Sequence, residues 1–268
     1  MTTLAAEHLV KDYHLRQGLR GGTLRAVDDV SFTLEPGRTV ALVGQSGSGK
    51  STIAKLLLQL ERPTSGRILI DGKPVERRGG GLIRYRRTVQ MVFQDPFASL
   101  NPFHTVEHHL ERPIRLHHPR LTGNEVHRRV LHLLERVRLT PAENVAARRP
   151  HELSGGQRQR VAIARALAPE PGVLIADEPV SMLDVSIRLG VLNLLATLQR
   201  EEDLGVLYVT HDLATARHFA DDVLVMYRGK IVERGSADEV ILRPRHEYTK
   251  TLAAAAPNPE RRISELRG

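Results

Sequence analysis

The chain has 268 residues, 41% hydrophobic and 26% charged, the balance of a folded soluble protein with one large or two small domains. Its formal net charge of +8 admits nucleic acid, anionic lipid or nucleotide phosphate as partners, while zero cysteines exclude disulfides, thiolate catalysis and cysteine-held zinc or iron–sulfur clusters. No apolar run reaches the roughly 20 residues of a bilayer span and "MTTLAAEHLVKDY" lacks signal-peptide order, which predicts a cytosolic chain.

In chain order, the first strand pattern is the alternation of "VDDVSFTLE" (27–35), with Tyr13 ahead of it. "TVALVG" (39–44) is a near-continuous apolar run, the mark of a central strand covered on both faces. A helix is predicted over 50–60, and "GRILIDGKPV" (66–75) reads as a hairpin turning at Asp71-Gly72. The runs 89–93, 173–177 and 206–210 repeat the buried-strand character, with helices predicted at 154–168 and 186–201. Residues 97–150 contain helical stretches such as 125–139 and little strand pattern, so they read as a helical insertion. A second hairpin, 223–235 with Gly229 at its turn, precedes a helical tail with a polar, frayed end. The alternation predicts an α/β core with a mostly parallel sheet and a small antiparallel layer.

"GQSGSGKS" fits G-x-x-x-x-G-K-[ST] through Gly44, Gln45, Ser46, Gly47, Ser48, Gly49, Lys50 and Ser51, with Thr52 following, and it stands between a strand and a helix. The glycines let backbone N–H groups curl around phosphates, Lys50 reaches the β- and γ-oxygens, and the Ser51 hydroxyl suits Mg²⁺. "GVLIADEP" brings Asp177 and Glu178 to a strand's C-terminal end, where open α/β sheets place ligands. Asp177 suits the Mg²⁺ shell, and Glu178 is placed to orient or deprotonate an attacking water. Two further strand ends converge there: Gln94, able to touch Mg²⁺ or water, and His211, able to donate to a γ-phosphate.

"HELSGGQRQR" (151–160) reads as a helix start, with Ser154 as N-cap and Gln157 reaching back in a capping box. Gly155 and Gly156 then occupy the first helical positions, where each is worth about 1 kcal/mol less than alanine. Bare backbone at a helix N-terminus is usually explained by an anion drawn to its N–H groups.

These motifs in this order resemble the nucleotide-binding domain of ATP-binding cassette (ABC) transporters. The resemblance implies a P-loop ATPase fold over residues 5–236, with a helical subdomain at about 97–170 and a C-terminal extension at 237–268. It implies ATP and Mg²⁺ as ligands, the roles above for Lys50, Ser51, Gln94, Asp177, Glu178 and His211, and a D-loop at 181–184 ending in Asp184. Tyr13 matches the aromatic that stacks on adenine, though from the residues alone it is equally an ordinary surface or core tyrosine. In that family two such domains pack head to tail, so Ser154, Gly155, Gly156 and Gln157 would close on nucleotide held by a second ATPase subunit.

"RQGLRGGTLRAVDDVSF", "FQDPFASLNP" and "RPRHEYTKTLAAAAPNP" further resemble ATPase subunits of the oligopeptide, dipeptide and nickel importer family, whose tail carries H-x-Y-T, here His246, Tyr248 and Thr249. The family implies a homo- or heterodimer at the cytoplasmic face of the membrane. It also implies two separate permease subunits, whose coupling helices meet the helical subdomain, and indirectly an extracytoplasmic binding protein. "EPVSMLDVS" also resembles members that import oligosaccharides, leaving peptide, nickel or oligosaccharide as cargo. Aromatics are only 4%, with no stacking pattern for RNA, so nucleic acid is not an expected partner. Seven histidines between His104 and His132 read as a solvated face rather than a metal site.

Overall fold

The computed structural model describes residues 2–17 and 20–255. The N-terminal sheet has the order β2-β1-β4-β5 and is antiparallel: β1 (Leu4–Gln17), β2 (Arg20–Leu34), β4 (Ser65–Ile70) and β5 (Lys73–Pro74). The central sheet has six strands in the order β10-β9-β3-β8-β7-β6: β3 (Thr39–Val43), β6 (Val89–Val92), β7 (Val173–Asp177), β8 (Gly205–Thr210), β9 (Asp222–Tyr227) and β10 (Lys230–Ser236). All its pairings are parallel except β9 with β10.

Two hydrophobic cores lie on opposite faces of the central sheet, and strand alternation divides each apolar run between them. Val40 and Leu42 of β3, Ile175 of β7 and Leu207 of β8 face the core shared with the antiparallel sheet and α1 (Lys50–Leu57). Ala41 and Val43, Leu174 and Tyr208 face the other core, built with the helical lobe. A period-2 chain with both faces covered reads as unbroken apolar sequence, and β3 is buried at every position.

The lobe comprises α3 (Pro96–Ser99), α4 (Val106–His117), α5 (Gly123–Arg136), α6 (Ala142–Ala147) and α7 (Gly155–Leu167); α4 to α6 fall within the helical stretch 97–150, and α7 matches the separate helix predicted at 154–168. Val126, Val130, Leu133 and Leu134 of α5 form one buried stripe, and Thr122 caps this helix in a reciprocal box with Glu125. The remaining helices are α2 (Gly79–Thr88), α8 (Val185–Glu201), α9 (Leu213–Phe219), α10 (Ala237–Leu242) and α11 (Glu247–Ala255). Among the described residues no helix is long and apolar enough to cross a membrane.

Two hairpins turn where expected. Asp71 and Gly72 have φ of 49° and 73°, and Arg228 and Gly229 have 46° and 83°, the paired positive angles of a type I′ turn. One expectation fails: the first strand is β1, not 27–35, and Tyr13 lies within it. Register shifts between Ala6 and Leu9, Leu9 and Lys11, and Lys11 and Asp12, with His8 at φ 50°, break the alternation that would have betrayed the strand. The helix α2, rich in glycine at its start, likewise carried no periodic signal. Expectations for residues 256–268 lie outside the described residues.

Because the Thr122 box closes both ends of one capping exchange, Thr122→Ala should cost about 1 kcal/mol. Thermal unfolding should show this as a Tm lower by roughly 2–4 °C.

Candidate functional site

The C-terminal edge of the central sheet gathers the expected residues because four neighbouring parallel strands, β3, β8, β7 and β6, end side by side. A cleft of about 920 Å³ there is lined by Gln45, Ser46, Gly47, Gly49, Lys50, Ser51 and Thr52 from the loop after β3 and the start of α1. Gln94, Glu178 and His211, just beyond β6, β7 and β8, form its opposite side. Tyr13 also lines it, with the Lys11 ammonium 4.8 Å from the centre of its ring.

Glycine is required at two loop positions. A Cβ on Gly44 would lie 2.3 Å from the Met226 carbonyl oxygen, and one on Gly49, at φ 113°, would lie 2.3 Å from that of Ala26. The loop thus runs against β9 and β2 with no room for a side chain. Lys50 is buried, and its Nζ donates to the carbonyls of Gly44 at 2.7 Å and Gln45 at 2.9 Å. Burial draws its ammonium below the usual lysine range, against the opposing pull of Glu178 and Asp177.

Glu178 is the organising carboxylate. Its Oε2 accepts from Gln94 Nε2 at 3.1 Å, and its Oε1 lies 3.0 Å from His211 Nδ1. The backbone holding it is left-handed, φ 44°, fixed by its own N–H to the Val209 carbonyl and by Ser181 donating twice to its carbonyl. Each carboxylate oxygen keeps a lone pair for a water. A neutral His211 that gives its Nδ1 proton to Glu178 presents Nε2 as an acceptor, so it donates to a phosphate only by leaving Glu178 or by gaining a second proton.

Asp177 is only partly exposed, and it lines the neighbouring groove rather than the cleft. Burial pushes its carboxyl above the usual range, Glu178 adds to this, and Lys50 and Lys55 oppose it. Ser51, Gln94 and Asp177 offer only oxygen ligands at this edge, the donor chemistry of Mg²⁺, and a cation would relieve the crowding of the two carboxylates. The residues present therefore fit that ion.

Ser154 does cap α7: its Oγ accepts from Gln157 N–H at 3.3 Å, and Gln157 Oε1 accepts from Ser154 N–H at 3.0 Å. Its two glycines differ. A Cβ on Gly156 would lie 2.7 Å from Ile187 Cγ2, so this glycine seats α7 against α8, whereas one on Gly155 would meet only Leu183 at 3.6 Å. None of residues 154–157 lines the cleft, nor does Asp184, which stands exposed ahead of α8.

Sequence reasoning missed Arg25, Ala26, Arg228, Gly229 and Leu252, which also line the cleft. They come from β2, a hairpin turn and the tail, in stretches read for family likeness or as a turn, where nothing in the residues themselves marked them as facing a ligand. A second groove, of about 1070 Å³, lies between the lobe and the sheet. Arg86, Arg112 and Arg165 line it together with His104 and His108, whose rings stack at 4.0 Å. Among the described residues no group of three or more acidic or histidine side chains is placed to share one metal ion.

A phosphate loop and an acid pair set on adjoining ends of one parallel sheet define a P-loop nucleotide hydrolase. Residues 27–181 match the family model described as ABC transporter. The chain is 45% identical over 258 residues to the oligopeptide transport ATP-binding protein OppF of Bacillus subtilis strain 168, spanning 95% of this chain and 84% of that one. It is 47% identical over 261 residues to the glutathione import ATP-binding protein GsiA of Shigella flexneri serotype 5b, spanning 96% of this chain but 41% of the longer relative. It also superposes on the dimeric post-hydrolysis structure of the ATP-binding cassette MJ0796 bound to ADP and Pi, with TM-score 0.75 and 32% identity over 87% of this chain and 98% of that one. The chain belongs to the ABC transporter family, and its enzymatic activity is that of an ATPase.

The unequal surroundings of the two glycines give a paired expectation. Gly156→Ala should force α7 from α8 and cost about 1–3 kcal/mol, while Gly155→Ala should not lower stability, since alanine favours the helix. Thermal denaturation of the two variants reads the difference.

Proposed function

We propose that the chain is the ATP-hydrolysing subunit of a binding-protein-dependent importer of peptides, working at the cytoplasmic face of the membrane with a second ATPase subunit and two permease chains. The observation that carries this reading is the Glu178 carboxylate, bonded to Gln94 and His211 at the edge of a cleft walled by the phosphate loop. Lys50 turns from the Gly44 and Gln45 carbonyls to the β- and γ-phosphates, an exchange of like hydrogen bonds. Ser51, Asp177 and Gln94 would hold Mg²⁺, which would supply positive charge against the phosphates. Glu178 accepts a proton from the attacking water, and His211 leaves it to donate its ring N–H to a γ-phosphate oxygen.

The remaining half of the site is supplied by a partner. Ser154, Gly155 and Gly156 stand away from this chain's own cleft with α7 N–H groups to offer, which suits a phosphate held by the second subunit. Met182, Val185 and Leu189, exposed by 55%, 76% and 53% beside Asp184, give that contact an apolar component. The groove lined by Arg86, Arg112 and Arg165 supports docking of a permease coupling segment. Peptide cargo rests on the resemblance to proteins named for oligopeptide transport and glutathione import; nickel or oligosaccharide would leave the chemistry on this chain unchanged.

Two substitutions test the arrangement. Glu178→Gln should lower ATP turnover by at least about a hundredfold and convert the protein to an ATP-bound dimer in size-exclusion chromatography; turnover at the parental rate would remove Glu178 as the base. Ser154→Arg should keep nucleotide affinity at the chain's own loop while abolishing that dimer. Loss of ATP binding in the monomeric variant would place Ser154 in its own cleft instead.

A further inference from the structure

The tail motif His246, Tyr248 and Thr249 has no part in the chemistry above, yet each residue has a defined task. The Glu233 carboxylate of β10 accepts from the backbone N–H of Arg245 at 2.7 Å and of His246 at 3.0 Å, which ties the start of α11 to the central sheet. His246 Nδ1 accepts from Tyr248 N–H at 3.1 Å and so caps the helix. Thr249 is fully buried, on the inner side of α11.

Tyr248, half-buried against the core, reaches the phosphate loop. Its ring stacks on Tyr227 of β9 at 4.2 Å between centroids, and its hydroxyl accepts the Gln45 N–H of the phosphate loop at 2.9 Å. Gln45 N–H and the Gly44 carbonyl are the two polar edges of one planar peptide unit, which turns as a rigid body. The carbonyl edge of that unit accepts from Lys50 Nζ at 2.7 Å. Tyr248 and the phosphate-binding lysine therefore grip opposite edges of one peptide plane. Leu252, one turn further along α11, lines the same cleft.

We infer that α11 is a clasp on the phosphate loop and that Tyr248 is a positioning residue for nucleotide binding. The inference rests on the ATPase reading above and adds a residue outside its motifs. When Lys50 turns to phosphate, the Gly44–Gln45 peptide loses its carbonyl partner, and the Tyr248 hydroxyl is then the bond that fixes its orientation. Linkage makes the effect reciprocal, so nucleotide must hold the tail down as firmly as the tail favours nucleotide.

The test is Tyr248→Phe in the full chain, which keeps the ring on Tyr227 and removes only the acceptor. Calorimetric titration with Mg·ADP avoids turnover and dimer closure. The dissociation constant should rise about two- to tenfold, the worth of one hydrogen bond. The KM for ATP should rise in step, with kcat within about twofold of the parental value. In the parental chain, ADP should slow amide hydrogen exchange across residues 247–255, and in the variant it should not. Equal ADP affinity in both proteins, even with a lower Tm in the variant, would make α11 a stabilising cap and overturn the inference alone, as would parental exchange that ADP leaves unchanged. A parental chain that fails to bind ADP would overturn the ATPase site and this inference together.

Discussion

A loop that turns its N–H groups inward around phosphates must find partners elsewhere for the backbone groups it turns outward. That constraint shapes the surroundings of residues 44–50. The Gly44 and Gln45 carbonyls are taken by Lys50, the Ser48 carbonyl by Gly229 N–H at 2.9 Å, and the Gln45 N–H by Tyr248. Gly229 in turn passes its own carbonyl to Asp28 N–H at 2.9 Å, which binds the β9–β10 turn to the antiparallel sheet. The β9–β10 hairpin, β2 and the tail are thus assembled around the outside of one loop, and the two glycines that cannot carry a Cβ mark where they press closest.

The contiguous parts of this design were legible in the sequence. A phosphate loop is written in consecutive residues, and the apolar runs of β3, β7 and β8 declare strands buried on both faces. The capping box of Ser154 and Gln157 was readable for the same reason, since both partners lie within one turn. Features that depend on distant contact were not. The reason for Gly156 is Ile187, on another helix, and nothing in "LSGGQ" separates its role from that of Gly155. Strand β1 was hidden by its own bulges, and Tyr13 was set outside any strand as a result. The tail motif was noticed as a pattern, while its meaning needed the fold, because Tyr248 and Gln45 meet only across the whole domain.

The charge tells a similar story. A net +8 admitted several kinds of partner, and composition could not choose among them. In the folded chain part of that charge is committed: Arg129 pairs with Glu170, Arg136 with Glu202 and Arg25 with Asp12. Arg165 donates to the Ser99 carbonyl and joins α7 to α3, with burial drawing its guanidinium below the usual arginine range. Arg86 and Arg112 line the groove of the lobe together with His104, His108, His109 and His117, so much of the segment rich in histidine faces one shared surface.

The bond between Gln45 and Tyr248 joins residues 203 positions apart. A ribosome adding about 5–20 residues per second makes the loop roughly 10–40 s before it makes the tyrosine that completes its outer contacts. Neighbouring strands β8 and β9 also arrive late, pairing with β3 through Thr210 and Val225. A nascent chain therefore carries the full phosphate-loop sequence long before it holds the full phosphate-loop structure. The outer contacts of the loop are thus completed by residues translated well after it, so its final geometry is settled only once β8, β9 and α11 have been made.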